Sequence, residues 1–266
     1  MSEIRKNPEN VETVDVSRHR KLRVKANPGF EHAREQHVAS LVLSELAEAA
    51  SSFPIVLVPR PYDDGKLLMA AMLGLKEGEN IYYGPQYWES THVPLSIQRH
   101  PFLIAYDDRL PNGEELTTCI EANSPFVSEQ QGTPLFNDDG ADSDFLKNRH
   151  LMLNEMFGSQ QITERFIDAV VDQGLTSLIN VHLKRQNGEM YVITGLFTID
   201  EEKLQKLSTE QLVGLHQNNF LAPCYLIIAS LHQLRRMIRH RNRQGRDQIV
   251  DFRIEFNAEP PAPAPQ

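Results

Sequence analysis

Short apolar blocks bounded by proline or glycine dominate the first half of the chain. The blocks FPIVLVP at 53–59 and KLLMAAML at 66–73 have the length and composition of buried strands. Alternation of apolar and polar residues predicts further strands in KLRVK at 21–25 and in QIVDFRIEF at 248–256. The pattern therefore predicts one strand near the start of the chain, at 21–25, and one near its end, at 248–256.

Helical spacing of apolar residues is concentrated in the second half. It predicts helices over DFLKNRHLMLNEMF at 144–157 and over ITERFIDAVVDQG at 162–174. A capping box from Ser208 to Gln211 predicts another helix start. A last long helix is predicted over roughly 221–241.

Two Asn-Gly pairs, at 112–113 and 187–188, indicate tight β-hairpins. Strands and helices follow one another without a regular β-α-β rhythm. The sequence therefore predicts an α+β fold, in which helices pack on a mainly antiparallel sheet within a single domain.

The ends of the chain are polar or rich in proline and alanine. We expect residues 1–20 to be disordered, 21–256 to form the domain, and 257–266 to form a flexible tail. The polar connection over 122–142 is long enough to indicate a lid, a binding loop or disorder.

The composition is that of a globular protein with a sizeable core: 266 residues, 40% hydrophobic and 24% charged. A formal net charge of −9 argues against nucleic-acid binding.

Cys119 and Cys224 each lie in an apolar run, which favours two buried thiols in a reducing compartment. We find no signal-peptide core and no run of eighteen apolar residues, so the sequence predicts a cytoplasmic protein without a membrane span.

No metal-binding or catalytic motif has the residue spacing that its chemistry requires. His32 and His37 are five residues apart, about 140° around a helix, whereas the zinc-protease pattern needs four. A calcium loop at 137–144 would require acids where Leu135 and Leu146 stand. No phosphate-cradling glycine motif and no Gly-x-Ser-x-Gly elbow occurs. The sequence thus predicts no catalytic residue, no metal and no cofactor.

The segment 87–108 contains the only tryptophan of the chain among several aromatics. Two interpretations stay open. Trp88 and Phe102 can bury apolar surface while Arg99 caps carbonyl groups or pairs with an acid. Alternatively, Tyr87, Trp88, Arg99 and Phe102 line a groove for an extended peptide, because rigid aromatics beside an arginine are typical peptide anchors.

The predicted last helix carries an apolar seam that favours either core packing or a helical partner. The seam consists of Cys224, Ile227, Leu231, Leu234 and Ile238. An arginine cluster without any acid then follows. It consists of Arg235, Arg236, Arg239, Arg241, Arg243 and Arg246. Guanidinium groups bind carboxylates and phosphates, so we expect this cluster to meet an acidic protein surface or an anionic group, or else an internal acidic surface, and not DNA.

Five segments in this order resemble the bacterial SapC family. They are FPIVLV at 53–58, MLGLKEGENIYY at 72–83, YWESTHVPLSIQRHPF at 87–102, GTPLFNDDG at 132–140 and TGLFTIDEEKLQKLSTEQLVGL at 194–215. The similarity covers roughly residues 45–240. One departure is Asn219, where the family pattern has glycine, although asparagine also tolerates the left-handed conformation.

The family's label derives from surface-layer-associated proteins, and the family is distinct from the like-named permease of a peptide transporter. The resemblance implies a non-catalytic accessory protein that binds a peptide or protein partner, in the company of TonB-dependent uptake and flavin-dependent, tryptophan-halogenase-like enzymes. Two alternatives remain: an enzyme with an unrecognised site that modifies a peptide or protein, and a surface-layer-associated structural protein. A homo-oligomer is compatible with each of them.

Overall fold

The computed structural model of the chain describes residues 11–61, 65–106, 116–245 and 247–256. The strands, in chain order, are β1 (Val11–Thr13), β2 (Arg23–Val24), β3 (Val38–Ser40), β4 (Ile55–Pro59), β5 (Leu67–Met72), β6 (Phe102–Tyr106), β7 (Leu116–Glu121), β8 (Val127–Ser128), β9 (Thr133–Pro134), β10 (Thr176–Arg185), β11 (Met190–Ile199) and β12 (Ile249–Phe256). The helices are α1 (Val16–His19), α2 (Leu46–Ala50), α3 (Leu95–Gln98), α4 (Asp144–Asp172), α5 (Glu201–Gln205), α6 (Thr209–Gln217), α7 (Leu221–Ser230) and α8 (Gln233–Arg243).

A six-stranded antiparallel sheet in the order β12-β10-β11-β4-β5-β3 forms the centre of the fold. In β4, the consecutive residues Ile55, Val56 and Leu57 are all fully buried. Because successive strand residues point to opposite faces, this part of the sheet is covered on both sides. Helix α4 contacts β5, and α7 contacts β4 and β11. The main core therefore lies around the middle of this sheet.

Two three-stranded sheets, β1-β7-β6 and β8-β2-β9, stand beside the central one. They enclose a smaller core to which Phe102 and Ile120 belong. Helix α4 links the two cores: Leu146 and Leu153 pack in the smaller core, whereas Phe166 packs in the main core. With 29 residues it is about 44 Å long, enough to span both. The predicted α+β fold with antiparallel sheets in a single domain is confirmed.

The N-terminal region differs from the disorder expected over residues 1–20. Residues 1–10 lie outside the described part of the chain, but β1 pairs with β7 and Asp15 caps helix α1. Val11 packs with Ala105 and Cys119 in a small cluster of its own. This pairing joins residues about a hundred positions apart, which local composition does not reveal.

The connection over 122–142, for which we expected a lid, a binding loop or disorder, is partly ordered by strand pairing, because it contributes β8 and β9 to either side of β2. The hairpin at 187–188 is confirmed, with Gly188 at a φ of +89° between β10 and β11. The Asn-Gly pair at 112–113 and the tail 257–266 lie outside the described residues.

The single helix predicted over roughly 221–241 is wrong, because α7 ends at Ser230 and α8 begins at Gln233. The Ser230 hydroxyl donates to the Ile227 carbonyl and accepts the Ile55 backbone N–H, so it ties the end of α7 to β4. The seam nevertheless packs on the main core: four of its members are buried and Leu231 is partly buried. Asn219, with a φ of +59°, adopts the left-handed conformation before α7.

Candidate functional site

Trp88 lies in the main core, with 7% of its surface exposed. Its indole Nε1 donates to the His92 carbonyl at 2.9 Å. Its ring stacks on Tyr82 and meets the edge of Phe30, with centroids 6.1 and 6.0 Å away. The indole thus has both its apolar and its polar requirements met inside the protein.

The other three residues of the predicted groove do not join Trp88. Tyr87 is 62% exposed, whereas Phe102 is buried in the smaller core. The Arg99 guanidinium donates to the Phe102 carbonyl at 3.3 Å. Since Trp88 and Phe102 belong to different cores, the four residues do not line one surface. This geometry favours the packing interpretation that the sequence left open.

Helix α8 divides the predicted arginine cluster between its inner and outer faces. On the inner face, Arg241 is 3% exposed and its Nε donates to Glu79 Oε1 at 3.0 Å. The second Glu79 oxygen accepts the Leu75 backbone N–H at 3.0 Å, and Arg241 Nη1 donates to the Asp247 carbonyl at 2.7 Å. Arg241 therefore meets an internal acid, the last of the alternatives raised by the sequence.

The same inner side of α8 holds the segment 72–83, one of the five that resemble the SapC pattern. His240 Nε2 and Gln244 Nε2 both approach the Ile81 carbonyl, at 2.9 and 2.7 Å. Tyr82 stacks on His240 with centroids 5.6 Å apart, and burial raises the pKa of its phenol. The C-terminal half of α8, together with Gln244 directly after it, thus holds this segment in place through hydrogen bonds and ring stacking.

On the outer face of α8, four exposed arginines recur at helical spacing. We call Arg235, Arg236, Arg239 and Arg243 the arginine stripe. Arg236 donates to the Ser51 carbonyl at 3.2 Å, and the Arg235 guanidinium lies 5.7 Å from the Phe252 ring centroid.

Arg239 and Arg243 make no hydrogen bond or ion pair with any residue in the described part of the chain. The sixth predicted member, Arg246, lies outside the described residues. The stripe therefore presents at least two guanidinium groups whose bonding capacity is left for water or a ligand.

A hydroxyl–imidazole–carboxylate series has the order expected of a catalytic triad. His100 Nε2 lies 3.0 Å from Ser124 Oγ, and His100 Nδ1 lies 3.6 Å from Glu121 Oε2. Ser124 is buried, however, and its Oγ also accepts the Phe126 backbone N–H. Burial and the neighbouring Arg99 lower the pKa of His100 to about 4, which makes it a weak general base at neutral pH.

A second series of the same kind begins at Thr118, on strand β7, which also carries Glu121 of the first series. Thr118 Oγ1 lies 2.6 Å from His150 Nδ1, and His150 Nε2 lies 3.3 Å from Asp142 Oδ2. This order of groups thus occurs twice among the described residues. The arrangement around Ser124 therefore does not by itself identify an active site.

Other reactive groups are similarly enclosed. The thiols of Cys119 and Cys224 are buried, and burial raises the pKa of the Cys224 thiol to about 12. Among the described residues, no group of three or more histidine, cysteine, aspartate or glutamate side chains is arranged to hold a metal ion. In the same part of the chain, no helix combines the length and apolarity needed to cross a membrane.

Sequence reasoning missed Glu79 and grouped Arg241 with the exposed arginines. A signal was present: Arg241 lies three and seven residues beyond Ile238 and Leu234, so it falls on the buried stripe of its helix. A charged residue on the buried face of a helix indicates a buried partner of opposite charge. Glu79, which is buried although it lies in the polar stretch 76–80, is that partner.

A comparison with protein-family models finds a match to the SapC family over residues 14–237. The match begins at residue 14, whereas the motifs indicated similarity from about residue 45, and it ends within α8. No curated protein and no solved structure matches the chain. Because the family match covers most of the chain, from β1's neighbourhood to the last helix, the chain belongs to the SapC family.

Proposed function

We propose that this protein is a non-catalytic accessory protein that binds an acidic segment of a protein or peptide partner through the arginine stripe. The observation that carries the proposal is the state of Arg239 and Arg243, which are exposed and unbonded within the described residues. Guanidinium groups form bidentate, charge-assisted hydrogen bonds with carboxylates. A row of them on one helix face is suited to a run of carboxylates.

The charge of the rest of the protein adds selectivity. The chain as a whole carries a net charge of −9, so a polyanion such as DNA is repelled over most of the surface. A partner that places a short acidic segment on the stripe avoids this repulsion. The stripe therefore favours a local acidic docking segment.

Binding accounts for the geometry better than catalysis does. The hydroxyl of Ser124 and the thiol of Cys224 are buried, so a substrate has no direct path to them in this conformation. The imidazole of His100, with its lowered pKa, is a poor proton acceptor. The guanidinium groups of Arg239 and Arg243, by contrast, are exposed and unbonded among the described residues, which suits recognition.

The family resemblance suggests the class of partner. An accessory role beside TonB-dependent uptake and flavin-dependent, tryptophan-halogenase-like enzymes makes a cytoplasmic flavoenzyme with an acidic surface segment our first choice. This choice rests on the resemblance alone, whereas the acidic character of the segment rests on the stripe.

Fluorescence anisotropy with a labelled ten-residue oligoglutamate tests the proposal. We expect binding that weakens with salt and falls at least tenfold when Arg239 and Arg243 are both replaced by glutamate. The matched control replaces Arg165, which is exposed on α4, and Lys206, which is exposed after α5, by glutamate. Equal losses in both double variants, or equal affinity for duplex DNA, would contradict a specific acidic site.

A further inference from the structure

The arginine stripe borders an open sheet edge. Strand β12 is the last strand of the six-stranded sheet and pairs with β10 along one side. Its other side pairs with no strand among the described residues. An unpaired edge presents backbone N–H and C=O groups that accept an added strand.

Helix α8 runs beside β12 over a matched length. Arg235 lies over the ring of Phe252, and the Asn242 side chain both donates to and accepts from the backbone of Ile249, at 2.9 and 3.0 Å. Seven residues of helix rise about 10.5 Å and three residues of strand about 10 Å. The two contacts therefore place helix and strand side by side and antiparallel.

The helical angle sets where the remaining arginines lie. Arg239 is rotated about 40° from Arg235 around the helix axis, and Arg243 about 80°. Both rotations lead away from the buried Leu234 and Ile238, towards solvent. The stripe thus begins over β12 at Arg235 and continues along the solvent face of α8, where Arg236 donates to the Ser51 carbonyl.

The two faces of β12 differ in charge. Phe252 and Ile254 pack against the main core on the side of α8. Asp251, Arg253 and Glu255 alternate with them on the opposite face, where His182 pairs with Glu255 at 2.6 Å. A strand added at this edge would meet arginines on the α8 side and charges of both signs on the other.

We propose that the partner segment binds as an extended strand on the free edge of β12, with acidic residues at every second position facing the arginine stripe and uncharged residues between them. This inference rests on the proposed function and adds the binding mode and the sequence pattern of the partner. Backbone hydrogen bonds supply affinity, and the arginines select the alternating acids.

Two other occupants fit the edge less well. The chain's own tail over 257–266 contains four prolines and one acid, and proline cannot donate to a strand ladder. A second copy paired about a two-fold axis perpendicular to the sheet would bring two arginine stripes to the same face on either side of the seam. Like charges there oppose association.

Three labelled ten-residue peptides test the mode by anisotropy. The first alternates Glu and Thr, the second is the same peptide N-methylated at every residue, and the third has five Glu followed by five Thr. We expect the alternating peptide to bind at least tenfold more tightly than the N-methylated one and about threefold more tightly than the block peptide. All carry the same side chains, so the differences report backbone pairing and pattern.

The outcomes separate the two proposals. If the N-methylated peptide binds as tightly as its parent, the strand mode is overturned while an acidic site on the stripe stands. If none of the three binds, the proposed function itself fails.

Hydrogen exchange provides the second readout. The alternating peptide should slow amide exchange in β12, at 249–256, and leave the opposite sheet edge, β3 at 38–40, unchanged. Equal protection at both edges would overturn the assignment. The assignment would also be overturned if light scattering showed that the free protein is a dimer and that the peptide dissociates it. A second copy would then occupy the edge.

Discussion

Arg241 and Arg239 lie two residues apart on helix α8, yet they have opposite surroundings. Arg241 is enclosed with Glu79 and bonded at two of its nitrogens, whereas Arg239 is exposed and has no partner among the described residues. Both are arginines of one helix in one run of basic residues. Their position around the helix axis, relative to the core and to the segment 72–83, decides which one is structural.

A neighbouring pair of aromatics repeats this contrast. Trp88 is buried with its indole N–H bonded, and Tyr87 next to it is 62% exposed. The lesson of both pairs is that residue type sets which interactions are available, while the packed neighbours decide which of them form. Each contrast can be tested by substituting the buried and the exposed member in parallel.

The largest effect is expected at Arg241. Replacing it by alanine leaves the Glu79 carboxylate without its cation in a buried site, which costs about 3–5 kcal/mol of unfolding free energy. Urea denaturation measures this loss. Combining Glu79→Gln with Arg241→Met should recover part of it, and a loss for Arg241→Ala no larger than that for Arg239→Ala would show that the two arginines do not differ.

Trp88→Ala is expected to cost about 3 kcal/mol, the lower end of the range for a large aromatic removed from a core. Tyr87→Ala, the matched exposed control, should stay within about 0.5 kcal/mol. As the only tryptophan, Trp88 should emit at short wavelength and resist quenching by acrylamide. Red-shifted, readily quenched emission together with a stable Trp88→Ala variant would contradict the core position and favour the alternative that Trp88 is a peptide anchor.

Acid should destabilise the protein through a stacked histidine pair. His32 and His100 lie with centroids 4.1 Å apart, and burial lowers the pKa of each to about 4. The unfolded chain, with ordinary histidine pKa values near 6.5, then binds these protons first, so stability falls as pH drops from about 6.5 to about 4. The melting temperature across this range should flatten in a His32→Gln, His100→Gln variant, and an unchanged slope would assign the acid sensitivity to other groups.

The smallest stability effect is expected on the arginine stripe. Replacing Arg239 and Arg243 by alanine should change the unfolding free energy by about 0–1 kcal/mol in all, because exposed charges contribute little. The same variant should lose oligoglutamate binding. Unfolding at low temperature would instead show that the stripe belongs to an internal network and would remove the contrast with Arg241.

Much of the fold followed from local patterns. The strands β4, β5 and β12 lie where the apolar runs and the alternation predict them, and the capping box of Ser208 and Gln211 opens α6. Four of the six arginines of the predicted cluster are exposed on one helix face. These features depend on backbone periodicity and on contacts within a few residues, which the sequence contains directly.

The sequence by itself determined the α+β class, the positions of most strands and helices, the family, and the presence of an arginine run in an acidic chain. Only the tertiary structure decided that Val11–Thr13 pairs with β7, that α7 and α8 are separate helices, and that Arg241 is bonded to Glu79. The contacts involved, including the one between Ser230 and Ile55 at the end of α7, join residues 106 to 175 positions apart. Their formation depends on which surfaces meet in the folded chain, and no local pattern encodes that choice.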